Sequence, residues 1–109
     1  MSYSESLADR VRQIFGRRRG RREKKMFGGV GFLLNGNMCV GIWQSSLIVR
    51  VGPDAYADAL AEPHVREFDI TGRPMAGWVL VDADGVDDDE SLRGWVGRGI
   101  DFVSTLPAK

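Results

Sequence analysis

Apolar residues follow strand-like spacing in the middle of the chain and helix-like spacing near its ends. Two apolar runs, Gly29–Leu34 and Asn37–Trp43, flank the pair Asn35-Gly36. Both residues of this pair tolerate the positive φ angles of a type I′ turn, so the pattern is a strong local indication of a β-hairpin. A third apolar run, Leu47–Val51, follows a short polar break. The centre of the chain is therefore predicted to be a three-stranded antiparallel meander.

The flanking segments predict three helices and two further strands. Apolar residues at helical spacing favour helices from Ser2 to about Phe15 and from about Asp88 to Thr105, and Pro53 begins a short helix between them. Val65–Thr71 alternates apolar and acidic residues and Trp78–Val81 is apolar, so both are predicted strands. The order α-β-β-β-α-β-β-α predicts one α+β domain over residues 1–109, with helices on one face of a roughly five-stranded antiparallel sheet.

The two-residue turn also predicts which side chains share a face of the sheet. It pairs Phe32 with Cys39 and Leu33 with Met38. The first and last helices are predicted to pack on one of the two resulting faces. That face carries Leu33, Met38, Val40 and Ile42. The opposite face carries Val30, Phe32, Leu34, Cys39, Trp43, Ile48 and Arg50. This second face is too apolar for plain solvent contact, so either later segments of the chain cover it or it forms an interface. A homodimer is predicted through Phe32, Leu34, Trp43 and Ile48.

Charge is unevenly distributed although the net charge is zero. Residues 10–25 contain nine basic side chains and a single acid, Glu23, whereas residues 26–109 contain six basic and twelve acidic ones. The segment at about 16–25 is predicted to be an exposed basic loop, because its glycines and mutually repelling arginines disfavour regular structure. The loop is a candidate for sequence-independent nucleic-acid binding, the alternative being a solvated loop with no partner. The candidate residues are Arg17, Arg18, Arg19, Arg21, Arg22, Lys24 and Lys25.

Residues that could carry catalysis or bind metal are few and scattered. The chain has one cysteine, Cys39, and one histidine, His64, so neither a disulfide nor a structural metal site is expected. The glycine-rich stretch before the first hairpin lacks the spacing of a phosphate-binding loop. A small-anion site or an unrecognised enzyme activity around Lys25, Arg50 and Arg73 is the third and least favoured alternative. No motif combines a nucleophile with a base, so neither an enzyme nor a bound cofactor is expected.

The sequence contains no apolar run of the roughly 20 residues that a membrane span requires. Its first residues also lack the layout of a signal peptide. A cytoplasmic protein that does not engage a membrane is therefore expected.

Several spaced motifs occur in an order that points to one protein family. They are Lys25-Met26-Phe27-Gly28-Gly29, Gly31-Phe32, Asn35-Gly36-Asn37-Met38, Arg50-Val51-Gly52, Tyr56, Gly72-Arg73-Pro74-Met75, Gly77-Trp78, Phe102-Val103 and Leu106-Pro107-Ala108-Lys109. In this combination, and from about Arg10 to Lys109, the chain resembles the N-terminal domain of TfoX/Sxy proteins.

The resemblance implies a two-layer fold like that of secretion chaperones. The best-known members regulate bacterial natural competence together with a transcription factor at promoters, and they carry a second, helical domain. The present sequence ends where that domain would begin, so a stand-alone single-domain member is expected. The family offers no established catalytic residues for this domain. We therefore expect a non-enzymatic regulatory or adaptor domain that acts through a protein partner, with transcriptional regulation as its setting.

Overall fold

The computed structural model describes residues 3–26, 28–70 and 72–109, which form a six-stranded antiparallel sheet and three helices. In chain order the elements are α1 Glu5–Phe15, β1 Arg21–Met26, β2 Gly29–Leu34, β3 Asn37–Trp43, β4 Ser46–Arg50, α2 Tyr56–Leu60, β5 Val65–Glu67, β6 Trp78–Val81 and α3 Asp89–Val103. The strand order across the sheet is β1-β2-β3-β4-β6-β5. The predicted α+β fold is confirmed, with one strand more than expected.

Local capping explains where α1 begins and ends. The Ser4 hydroxyl accepts a hydrogen bond from the backbone N–H of Leu7 at 3.1 Å, which satisfies one of the unpaired donors at the helix start. At the other end, Gly16 has a φ of 57°, a conformation that side chains disfavour, and it ends the helix. The prediction of a start at Ser2 is wrong, because Ser4 is the capping residue and the helix begins at Glu5; Ser2 itself lies outside the described residues.

The other two helices are shorter than the sequence indicates. Asp88 caps α3 by accepting a hydrogen bond from the N–H of Ser91 at 2.9 Å. Helix α2 begins at Tyr56, because Pro53 and the two residues after it form a turn instead of the first helical turn.

The hairpin at the centre of the chain is confirmed with the predicted strand limits. Asn35 and Gly36 have φ angles of 54° and 85°, as a type I′ turn requires. A second two-residue turn joins β3 to β4: Trp43 pairs with Ser46, and Gln44 has a φ of 55°. The Asn35-Gly36 turn is therefore set by local sequence, whereas Gln44 adopts a positive φ that its residue type disfavours.

A β-bulge in β3 changes the predicted faces of the sheet. Leu33 pairs with Met38, but the next pair joins Phe32 to Val40, so Cys39 is an extra residue in β3. A bulge of this kind bends the strand and re-aims the side chains that follow it. Cys39, Val40 and Phe32 are all fully buried beneath the helices. The prediction that Leu33 and Met38 face the helices is therefore wrong.

The predicted basic loop is a loop only in its first half. Residues 16–20 connect α1 to the sheet, whereas β1 pairs antiparallel with β2 from Arg21 opposite Leu34 to Met26 opposite Gly29. Pairing with β2 gives the backbone of this polar segment its hydrogen bonds, and charged residues are typical of strands at a sheet edge. The loop prediction is wrong for residues 21–25.

The main core lies between the helices and the face of the sheet that we call the inner face. Phe15 of α1 contacts Phe32 of β2, with ring centres 5.6 Å apart. Gly99 of α3 comes so close to the bulge that an added Cβ would lie 2.6 Å from the carbonyl oxygen of Cys39. The bulge and the helix are therefore packed directly against each other.

On the opposite face, which we call the outer face, part of the sheet is covered by the segment between β5 and β6. The predicted strand over 65–71 is shorter than expected, because Phe68 and Ile70 leave it and pack against Ile48 and Leu80. Thr71 lies outside the described residues. Coverage by a later segment, one of the two alternatives, is thus found over β4 and β6.

Candidate interaction surface

The seven basic residues between α1 and β2 are all exposed and follow one edge of the molecule. Three stand on the connection after α1, and four stand on β1, which is the outermost strand of the sheet. We call this set the basic strip: Arg17, Arg18, Arg19, Arg21, Arg22, Lys24 and Lys25. The structure therefore brings the predicted nucleic-acid residues together.

The four basic residues of β1 point to different faces of the sheet. Residues opposite each other in an antiparallel pair share a face. Arg22 lies opposite Leu33, so Arg22 and Lys24 stand on the outer face, whereas Arg21 and Lys25 stand on the inner face. The Arg21 guanidinium donates a hydrogen bond to the carbonyl of Gly16 at 2.6 Å. Arg22 and Lys24 thus form the part of the strip that borders the outer face.

The single acid in this stretch is paired with α1. Glu23 accepts two hydrogen bonds from Arg12, at 2.8 Å from Nε and 2.9 Å from Nη2. Arg12 also donates a hydrogen bond to Asp9. The hydrogen bonds to Glu23 are the main reason why the pKa of Arg12 is raised above its ordinary value. Because Arg12 offsets its charge, Glu23 adds little negative charge to the edge.

Beside the strip, the outer face carries four half-buried apolar side chains from β1, β2 and β3. We call them the methionine patch: Met26, Leu33, Met38 and Trp43. Gly31 and Gly41 pair directly beneath it. A Cβ added at Gly31 would lie 3.0 Å from Cε of Met26 and 3.2 Å from Sδ of Met38, and one at Gly41 would lie 2.6 Å from Cε of Met38. The two thioether side chains therefore lie in a trough left by the two glycines.

Sequence reasoning missed this patch. It assigned Leu33 and Met38 to the core face, because it had no means of placing the bulge at Cys39. One signal was present: glycine inside a strand often marks a bulge or a close approach, and both Gly31 and Gly41 interrupt apolar runs.

The predicted dimer interface does not form one surface. Phe32 and Leu34 are 0% and 7% exposed within the inner core. Ile48 is on the outer face but is 1% exposed beneath the segment between β5 and β6. Only Trp43 of the four residues stays half-buried at the surface. The bulge is the physical reason, because it puts Val40 and Ile42 of β3 on the same face as Phe32, and that joint apolar face packs against the helices.

The three residues of the predicted anion site are not brought together. Across the sheet, Lys25 of β1 is in line with Leu47 of β4, three strands away. Arg50 lies three residues further along β4 than Leu47. Strand spacings of about 4.8 Å and residue steps of about 3.3 Å put Lys25 and Arg50 roughly 17 Å apart. Arg73 stands exposed in the segment that leads to β6.

Arg50 instead contacts two aromatic rings. Its guanidinium carbon lies 5.1 Å from the ring centre of Trp78, the residue opposite it on β6, and 5.5 Å from that of Phe102 on α3. Such contacts are attractive because the ring faces carry negative charge density. Arg50 therefore has a packing role at the end of β4.

An open groove of about 540 Å³ separates α1 from α3. Its lining includes Ile14 and Leu92, with Arg18 and Arg93 also present. Arg10 lies there too, but its guanidinium is bonded to α3, donating to Asp89 at 3.2 Å and to the Asp87 carbonyl at 3.1 Å.

The single thiol and the single imidazole lie apart in the fold. Cys39 is fully buried in β3, where burial raises its pKa to about 11, so the thiolate is scarce at neutral pH. His64 is exposed in the turn before β5. Within the part of the chain that the structure describes, no three His, Cys, Asp or Glu side chains are grouped as metal ligands.

Comparison with known families matches residues 13–103 to the TfoX N-terminal domain. The chain belongs to this family. The match covers the motifs of the resemblance from the basic segment to the end of α3, and the last motif, Leu106-Pro107-Ala108-Lys109, lies beyond it. Comparison with curated proteins and with solved structures gave no match.

The TfoX N-terminal domain family is linked to competence regulation, and it is not known as a family of enzymes. Among the described residues, no helix has the length and apolar character needed to cross a membrane. Membership assigns no task to any residue of this chain. The features of this chain that bear on its function are the methionine patch and the basic strip.

Proposed function

We propose that this chain is a cytoplasmic, non-enzymatic regulatory or adaptor domain that acts through contacts with a protein partner in transcriptional regulation. The observation that supports this proposal is the methionine patch. The patch joins half-buried apolar side chains from three neighbouring strands on one open face. Contiguous exposed apolar surface of this kind is typical of protein interfaces.

The composition of the patch suits a protein surface better than a small molecule. Methionine side chains are flexible and polarisable, so they adapt to irregular partner surfaces. Trp43 adds a residue type that often anchors interfaces. Arg22 and Lys24 border the patch, giving it the charged rim that protein interfaces usually have.

The test uses Leu33→Asp in the patch and Ala57→Asp on the exposed side of α2 as a matched control, because each adds one negative charge. Nuclease-treated extract of the native host is passed over the wild type and both variants at moderate salt. We expect one protein partner to be retained by the wild type and by Ala57→Asp, and to fall at least about tenfold with Leu33→Asp. Equal recovery with both variants, or no retained partner, contradicts the proposal. Melting temperatures confirm that both variants are folded.

A second copy of the chain is one partner that this patch fits. Homodimerisation through Trp43 and its neighbours predicts that sedimentation velocity shows a dimer for the wild type at high micromolar concentration and a monomer for Leu33→Asp. A wild-type monomer would leave a different protein as the partner.

Sequence-independent nucleic-acid binding is the second candidate function, and the exposure of the whole basic strip favours it. About five phosphate contacts predict a slope of log K against log salt of about −4.5 on duplex DNA. Replacing Arg17, Arg18, Arg19, Arg21 and Arg22 with serine should flatten that slope. Replacing Arg66 and Arg73, which are exposed away from the strip, should leave it nearly unchanged. Absence of wild-type binding at low salt removes this candidate.

A further inference from the structure

The backbone of β1 is unpaired on the side away from β2. The strand is outermost in the sheet, and five of its six residues are exposed. Among the described residues, the backbone hydrogen bonds of β1 are those of its ladder with β2. An open strand of this length is a template for one more strand.

The direction of each backbone group in β1 follows from one hydrogen bond. The N–H of Asn35 donates to the carbonyl of Gly20 at 3.0 Å, so the backbone of Asn35 points towards the β1 side. In an antiparallel strand the N–H and C=O groups of successive residues point alternately to one side and the other. Those of Leu33 and Gly31 on β2 therefore also point towards β1. Their partners on β1 are the residues whose backbone groups face β2.

Those partners are Arg22 and Lys24, so the N–H and C=O groups of Arg21, Glu23 and Lys25 point to the free edge. A strand added there would bond to these three residues. Its side chains on the outer face would lie next to Arg22 and Lys24.

We propose that β1 captures an extended acidic segment of a partner protein as a seventh strand of the sheet. The strand carries four basic side chains, and its one acid is already bound to Arg12. A second copy of β1 would place like charges opposite each other, which disfavours self-pairing. Acidic residues at alternate positions would instead face Arg22 and Lys24.

This inference rests on the proposed role in protein contacts and names the chemistry of the partner. Backbone pairing supplies affinity in strand addition, and side chains at alternate positions supply selectivity. The methionine patch is continuous with β1 through Met26, so one partner can engage both features.

The probe is a fluorescent peptide of about ten residues in which glutamate and valine alternate, roughly the length of a strand. Anisotropy at low salt compares Arg22→Ser/Lys24→Ser with Arg17→Ser/Arg19→Ser, which removes the same charge from the connection before β1. We expect about tenfold weaker binding for the first pair, because it removes two cross-strand charge pairs, and less than about threefold for the second. Equal weakening by both pairs would overturn strand addition in favour of diffuse charge attraction.

The backbone is tested with Lys25→Pro against Lys25→Ala. Both variants lack the charge, but only proline lacks the N–H that points to the free edge, where proline is tolerated in an edge strand. We expect Lys25→Pro to bind the peptide about fivefold more weakly than Lys25→Ala. Equal affinities contradict the inference.

Amide hydrogen exchange of the wild type gives a readout that needs no variant. Saturating peptide should slow exchange at Arg21, Glu23 and Lys25 by about tenfold or more, and much less at Arg22 and Lys24. Absence of peptide binding, or binding of duplex DNA without binding of the peptide, overturns the inference. Neither outcome affects the Leu33→Asp comparison, so failure here is distinguishable from failure of the proposed function.

Discussion

Arg12 of α1 and Glu23 of β1 form a two-point ion pair, with N–O distances of 2.8 and 2.9 Å. Paired hydrogen bonds between a guanidinium and a carboxylate fix geometry as well as adding energy. The pair ties the first helix to the exposed edge strand. It also explains how the most basic segment of the chain forms a regular strand at the edge of the sheet.

Breaking this pair should loosen β1. We expect Glu23→Gln to lower the free energy of unfolding by up to about 1 kcal/mol, since both side chains are partly exposed. Amide exchange within β1 should accelerate at the same time. Urea unfolding measures the first effect, with Arg19→Gln as a control expected to change stability by less than about 0.5 kcal/mol. Equal effects of the two substitutions would show that the ion pair does not hold the strand.

Two glycines of β2 should respond differently to the same substitution. A Cβ at Gly29 would overlap the carbonyl oxygen of Ile42, which is backbone and cannot easily move. At Gly31 it would meet the flexible ends of Met26 and Met38 instead. We expect Gly29→Ala to lower stability by about 1–3 kcal/mol or more, and Gly31→Ala by less than about 1 kcal/mol. Thermal and urea unfolding check this order, and the reverse order would contradict the packing beneath the methionine patch.

The Cys39 thiol should be inert in the folded protein. It is fully buried and donates a hydrogen bond to the Phe32 carbonyl at 3.3 Å. We expect a thiol-specific disulfide reagent at pH 8 to react with unfolded chain in urea and not with the native protein. Rapid labelling of the native protein would show that the bulge is open.

The same thiol predicts a pH effect on stability. Burial raises the pKa of Cys39 to about 11, above the ordinary value of about 8.5, so the unfolded chain loses this proton first. The contribution of Cys39 is therefore complete below about pH 8.5 and falls as the pH rises towards 11. Urea unfolding of the wild type and of Cys39→Ala between pH 8 and pH 10 isolates it. The difference between the two proteins should shrink with increasing pH.

The cap of α3 predicts an effect at acid pH. Hydrogen bonds from Ser91 lower the pKa of Asp88 below its ordinary value. The unfolded chain therefore takes up this proton first, so the stabilisation is present above the ordinary aspartate pKa and is lost as the pH falls through the folded pKa. An NMR titration of the Asp88 carboxyl should show a midpoint below that of an unstructured aspartate. Asp88→Asn should flatten the acid limb of the stability profile, with Asp101→Asn on the exposed side of α3 as the control.

Local sequence was sufficient to predict the elements that are specified by residues close together in the chain. Asn35-Gly36 makes its turn from its own backbone preferences, and the strands beside it begin and end within a few residues of that turn. The ends of α1 and α3 likewise follow from caps close in sequence. For this reason the hairpin, the α+β class and the family resemblance could all be predicted.

The edge strand β1 could not be predicted, because nothing in RREKKM alternates between apolar and polar residues. The strand exists because β2 pairs with it and because Arg12 holds Glu23. Both causes are contacts between separate elements, and no pattern within the segment reports them.

The face of the sheet that meets the helices was decided by the bulge at Cys39. Gly99 lets α3 approach the carbonyl of Cys39, and Phe32 then packs against Phe15 of α1. Side chains in a strand alternate with a period of two, so the extra residue puts Val40 and Ile42 on the same face as Phe32 and leaves Met38, with its partner Leu33, on the opposite face. The interaction surface therefore arises from packing between residues that are about 17 and about 60 positions apart in the chain, and hydrophobic periodicity carries no information over such distances.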